Sequence, residues 1–123
     1  MPKNTSSFLE ILFQEIQNKA KNEDPEKSYT AFLANSGIEN ITKKIVEEAF
    51  EVSLASIEGK DHKNGRKEII AEAADLFYHI LVLLAKKNVE LVDVIEELQK
   101  RNATKNLSKA AIAKNKIKLN YGK

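Results

Sequence analysis

Between Glu68 and Ala85 the chain is apolar in nearly every helical direction, yet it carries four polar ionisable groups on one stripe. Ile69, Ile70, Ala71, Ala73, Ala74, Leu76, Phe77, Tyr78, Ile80, Leu81, Val82, Leu83 and Leu84 supply the apolar surface. Glu68, Glu72, Asp75 and His79 recur at i, i+4, i+7 and i+11. At roughly 100° per residue they fall within an arc of roughly 60°. No Lys or Arg lies between Lys67 and Lys86 to neutralise them along the helix. A helix that is apolar all round is expected to be an inner one. Crowding carboxylates in such a setting is costly, so the stripe calls for protonation or for a cation among the acids.

A second helix, expected over about Glu39 to Glu58, carries a matching set of acids. Ile41, Ile45, Ala49, Val52 and Ala55 define one apolar arc, and Glu48 falls inside it. Phe50, Leu54 and Ile57 extend the apolar surface, so this helix also reads as largely enclosed. Glu47 and Glu51 sit one turn apart on the narrow polar seam. Two i, i+3 pairs, Glu48/Glu51 and Glu72/Asp75, can then face each other across neighbouring antiparallel helices. An oxygen-only ligand set favours Mg²⁺, Mn²⁺ or Ca²⁺ over zinc or copper. Mg²⁺ keeps part of its water shell and reaches phosphate oxygens, which suits clamping a polyphosphate and activating water. The competing reading is structural: buried salt bridges from these acids to Lys43, Lys44 or Arg101. A single Glu-x-x-Glu is ordinary surface decoration, whereas two on otherwise apolar helices are not. His79, at the end of the stripe, belongs behind the metal ligands or beside a substrate, because magnesium prefers oxygen.

The remaining chain reads as helical too. Phe8, Leu9, Leu12, Phe13 and Ile16 recur at helical spacing behind Ser6 and Ser7, predicting a first helix to Lys21. A loop broken by Pro25 follows, and Ser28 is the expected cap of a short helix from Tyr29 to Asn35, closed by Gly37. Residues 60–65 are expected to form a loop before a helix from Arg66 to Lys87, and a fifth helix covers Leu91 to Arg101. A weaker helix is expected over Ser108 to Lys116. With 123 residues the organisation reads as one all-α domain of four to five helices over residues 1–101, followed by a basic extension at 102–123. From Lys100 onward every charged side chain is basic, although the net charge is only +2. That low net charge argues against a nucleic-acid binder. The absence of cysteine excludes disulfides and thiolate zinc sites and fits a reducing cytoplasm. No signal segment or membrane span is expected.

These residues resemble the phosphoribosyl-ATP pyrophosphohydrolase family, within the MazG-like all-α nucleoside triphosphate pyrophosphatases. The superfamily pattern of Glu-Glu-x-x-Glu followed by Glu-x-x-Asp reads here as Glu47-Glu48-Ala49-Phe50-Glu51 and Glu72-Ala73-Ala74-Asp75. The narrower resemblance adds Ser28-Tyr29-Thr30, Lys43-Lys44, Asp75-Leu76-Phe77-Tyr78-His79 and Leu98-Gln99-Lys100-Arg101, together spanning about Phe8 to Arg101. Two positions depart from it: Val46 where the family usually has Gly, and Lys19 where it often has Arg. The resemblance implies Mg²⁺-dependent hydrolysis of phosphoribosyl-ATP to phosphoribosyl-AMP and pyrophosphate, the second step of histidine biosynthesis. It also implies a homodimer or an assembly of dimers. It makes Glu48, Glu51, Glu72 and Asp75 metal ligands and Glu47 a further ligand or the group that orients water. Lys44, Tyr29, Thr30, His79 and Arg101 become candidate substrate contacts. The chain is too short for a fused cyclohydrolase and lacks its cysteines, so the stand-alone form is expected. Two alternatives use the same residues. One is a house-cleaning pyrophosphatase for other nucleoside triphosphates. The other is a non-enzymatic helical dimerisation module whose acids pair with the basic tail.

Overall fold

A computed structural model describes residues 5–58, 62–103 and 112–115. Every regular element among the described residues is helical: α1 (Thr5–Asn22), α2 (Tyr29–Asn35), α3 (Ile38–Glu58), α4 (His62–Lys86) and α5 (Leu91–Ala103), with a further helical turn at 112–115. The all-α expectation therefore holds. The chain divides into two compact units, residues 1–90 with α1 to α4 and residues 91–123 with α5.

In the first unit α3 and α4 make the most extensive helix pair, and α1 and α2 pack against that hairpin. The buried residues follow the helical periodicity: Phe13 and Ile16 on α1, Ala31, Leu33 and Ala34 on α2, Ile41 and Ala55 on α3, Leu81 and Val82 on α4.

The connections are built from their own residues. After α1, Asp24 organises the turn: its carboxylate accepts the Glu26 N–H at 2.9 Å, and its carbonyl accepts from Lys27 and Ser28 at 2.9 and 3.0 Å. Ser28 then caps α2, its hydroxyl accepting from the Ala31 N–H at 3.2 Å. Gly37, at φ 105°, makes the left-handed reversal between α2 and α3 that side chains resist. At the end of α4, Asn88 takes φ 58°, and the Val89 N–H returns to the Leu84 carbonyl at 2.9 Å, closing the helix as glycine more often does.

Three expectations change. The first helix starts at Thr5, so the serines expected as its cap lie inside it. The fourth starts at His62, so Asn64 and Gly65, expected in a loop, lie within α4. One helical glycine costs only about 1 kcal/mol against alanine, and Gly65 is buried. The third change concerns enclosure. On α3, Val46, Phe50 and Ile57 are 60–79% exposed, and on α4, Ile70 and Phe77 are 63% and 59% exposed. The apolar residues of the hairpin serve two faces, and among the described residues one of them stays exposed. The weak helix expected over 108–116 lies outside the described residues except for 112–115, as does most of the basic extension.

Candidate active site

Glu48 and Glu72 stand equally far from residue 60, so folding α3 back on α4 brings them level. Asp75 is nearly one turn beyond Glu72 on the same stripe. The three carboxylates offer oxygens that all lie within 4.8 Å of one another. Glu48 and Glu72 are half-buried and Asp75 is exposed. The cluster perturbs itself: Glu72 holds its proton above the usual value of 4.5, first through a hydrogen bond with Glu48, then through burial, then through the charges of Glu48, Asp75 and Glu68. Among the described residues neither Glu72 nor Asp75 forms an ion pair with Lys or Arg.

The competing salt-bridge reading named Lys43, Lys44 and Arg101. Lys44 instead reaches Glu47, one turn along α3, at 3.8 Å, with both side chains about half exposed. Arg101 belongs to the second unit, where its Nε donates to Glu97 at 2.9 Å. Glu51 is exposed and is not part of the three-carboxylate group.

Beside the acids lies a polar network joining α2 to α4. The Tyr29 hydroxyl and His79 Nε2 are 2.9 Å apart, and the rings meet edge-on with centroids 6.0 Å apart. His79 is only 6% exposed, and its Nδ1 lies 4.0 Å from the Glu48 Oε1 without making a hydrogen bond. Burial pushes the His79 imidazole below its usual 6.5, Lys44 adds to this, and the carbonyl and carboxylate of Asp75 oppose it. Burial likewise raises the Tyr29 phenol above 10.0, helped by the charges of Glu48 and Asp75 and opposed by Lys44. The phenol therefore stays protonated. The buried Thr30 hydroxyl pairs with the Tyr78 hydroxyl.

Tyr29, itself 52% exposed, stands between two cavities. The larger, about 440 Å³, is lined by Lys19, Lys27, Tyr29, Asp75, Tyr78 and His79 among others. The smaller, about 170 Å³, is lined by Tyr29, Phe32, Leu33, Asn40, Lys44 and Glu47 among others. Lys19, Lys27 and Tyr78 were not picked out as site residues by sequence reasoning. Tyr78 hides among the apolar residues of α4. The only hint of Lys27 was its place just before Ser28-Tyr29-Thr30, and its approach depends on the Asp24 turn.

The arrangement suits chemistry on an anionic substrate: clustered oxygen donors for a hard cation, with lysines lining the flanking cavities. The comparisons point the same way. The family description phosphoribosyl-ATP pyrophosphohydrolase matches residues 12–102. A Listeria monocytogenes protein named phosphoribosyl-ATP pyrophosphatase is 47% identical over 94 residues, covering 76% of this chain and 84% of that one. A Bacillus mycoides protein of the same name is 45% identical over 95 residues, covering 77% and 83%. A third, from Bacillus anthracis, is 42% identical over 94 residues, covering 76% and 82%.

Proposed function

The chain belongs to the phosphoribosyl-ATP pyrophosphohydrolase family, and from that premise we propose that it hydrolyses the α–β phosphoanhydride bond of phosphoribosyl-ATP, giving phosphoribosyl-AMP and pyrophosphate in histidine biosynthesis. The observation that carries this reading is the convergence of Glu48, Glu72 and Asp75 from two helices, with no lysine or arginine among the described residues to neutralise Glu72 or Asp75.

Those residues fit a divalent cation, Mg²⁺ by the chemistry of the donors. All three ligand groups are carboxylates, and the crowding that raises the proton affinity of Glu72 is what a bound cation would relieve. Glu51, on the same helix as Glu48, is proposed as an outer member of the set. The cation supplies neutralisation of the negative charge that builds on the polyphosphate. The chain's own residues do the rest. Glu47, exposed beside the smaller cavity, orients a water and accepts its proton as the water oxygen attacks phosphorus. The bond to the bridging oxygen breaks, and pyrophosphate leaves with that oxygen. Lys44 and Tyr29 line the cavities where phosphate and nucleoside would lie, and they are the proposed substrate contacts. Thr30 and His79 are buried and stand behind them. The role of Arg101 as a phosphate contact rests on the family resemblance alone.

We further propose a homodimer. On α3, Val46, Phe50 and Ile57 lie on the side opposite Glu48; on α4, Ile70 and Phe77 lie opposite Glu72. On each helix the exposed apolar stripe therefore lies on the side away from the acids, which meet between the two helices. A second copy of this chain, offering the same stripes, is the occupant that suits so apolar a face on so small a protein.

The test is pyrophosphate release from phosphoribosyl-ATP with and without Mg²⁺, beside dUTP and dCTP. Mg²⁺-dependent release from phosphoribosyl-ATP, lowered about 100- to 1,000-fold by Glu48→Gln or Asp75→Asn, is expected. Preference for dUTP or dCTP would move the enzyme to the house-cleaning branch. A full-rate Asp75→Asn enzyme would remove the carboxylates from the mechanism.

A further inference from the structure

We propose that His79 is a positioning residue: its imidazole, hydrogen-bonded at Nε2 to the Tyr29 hydroxyl, fixes the Glu48 carboxylate for the cation. This rests on the metal-centre reading above and deepens it, because it assigns a function to a side chain that is almost wholly buried.

The geometry runs in a line from α2 through α4 to α3. Tyr29 Oη lies 2.9 Å from His79 Nε2, and His79 Nδ1 lies 4.0 Å from Glu48 Oε1. The ring is more than nine-tenths buried and is braced edge-on by Tyr29 and by Tyr78. Two tautomers are open to it. If Nε2 carried the proton, the Nδ1 lone pair would face a carboxylate and the Asp75 carbonyl, both negative. With the phenol donating to Nε2, the proton sits on Nδ1 and points at those same acceptors. The second arrangement is the favourable one: the acceptors facing Nδ1 select it, and the Tyr29 phenol completes it by donating to Nε2. Nδ1 is buried and makes no well-formed hydrogen bond, and the acceptors it faces are the Glu48 carboxylate and the Asp75 carbonyl. A buried donor in that state is costly, so the site is built for an acceptor to come closer. Glu48 is the mobile candidate, since the Asp75 carbonyl is fixed in the helix. With Oε1 directed to His79, the carboxylate of Glu48 is held in one orientation toward Glu72 and Asp75. Partners of this kind around metal ligands affect affinity strongly.

The experiment is Mn²⁺ binding to the free protein by calorimetry, alongside turnover. His79→Leu should weaken Mn²⁺ binding about 10- to 100-fold, and excess Mg²⁺ should recover most of its lost turnover. His79→Asn places an amide N–H near the position of Nδ1 and should retain most of the affinity. His79→Gln reaches toward Tyr29 instead and should behave like His79→Leu. Tyr29→Phe should weaken binding to a smaller degree. Wild-type affinity in a folded His79→Leu protein would overturn the role of His79 while leaving the metal centre standing. Equal losses in the Asn and Gln variants that simply follow their melting temperatures would overturn it too, as a packing effect. Failure of the wild type to bind Mn²⁺ would overturn the metal centre, and this inference with it.

Discussion

Glu72 shows how one side chain can tie stability to pH and to metal. Its carboxyl in the folded protein keeps a proton that the ordinary value of 4.5 would release. In the window from about 4.5 up to that raised value, the unfolded chain binds fewer protons than the folded one, so this group lowers stability as pH rises and leaves it lowest above the window. His79 acts in the opposite sense: as pH falls below 6.5 the unfolded imidazole gains a proton that the folded one resists, so stability from this group is lost toward acid. Comparing wild type with Glu72→Gln isolates the first effect. In chelator, the variant should melt higher than wild type at neutral pH, with the difference closing below about pH 4.5. Adding Mg²⁺ should raise the wild-type melting temperature and leave the variant nearly unmoved. A variant that melts lower than wild type at neutral pH would show that Glu72 is a stabilising partner, not a strained one. This residue was legible in the sequence because the i, i+4, i+7 stripe stood out against an apolar helix. Glu51 was chosen by the same spacing but lies outside the carboxylate group. Spacing gives a direction around one helix, and it does not give the rotation of α3 against α4.

At the scale of elements, α2 is the short piece on which the site depends. It carries Tyr29 and Thr30, whose partners His79 and Tyr78 are both on α4. The helix has only seven residues, too few to persist without capping and tertiary contacts. Ser28 supplies the cap, and Gly37 allows the chain to turn away into α3. Ser28→Ala should cost about 1 kcal/mol, seen as a lower melting temperature, and should reduce turnover by loosening Tyr29. Unchanged turnover in a destabilised Ser28→Ala protein would separate the cap from the site. This element was legible to the residue, from Ser28 through Gly37, because capping and left-handed signals are local. The start of α4 was not. Asn64 and Gly65 carry the local signature of a loop, yet both lie within α4, where Gly65 is buried.

The same limit governs the molecule as a whole. Composition and periodicity gave an all-helical chain and two helices expected to be enclosed on all sides. Among the described residues one side of each stays exposed, because sequence marks a residue as apolar without saying what will cover it. Phe50 is 60% exposed and Phe77 59%. Burying a phenylalanine contributes roughly 1.5–3 kcal/mol, and a two-fold interface uses each such residue twice. Sedimentation of the wild type at micromolar concentration should therefore give twice the mass of one chain, with a melting temperature that rises with concentration. Phe50→Asp combined with Phe77→Asp should give a monomer whose melting temperature no longer depends on concentration. On each helix the acids lie opposite the exposed stripe, so the monomer should still bind Mn²⁺ if the first unit folds alone. Loss of both dimer and metal binding would mean instead that the second copy is needed to hold α3 and α4 in register. A wild type that sediments as a single chain would leave the exposed stripes without a partner and remove the dimer from this account.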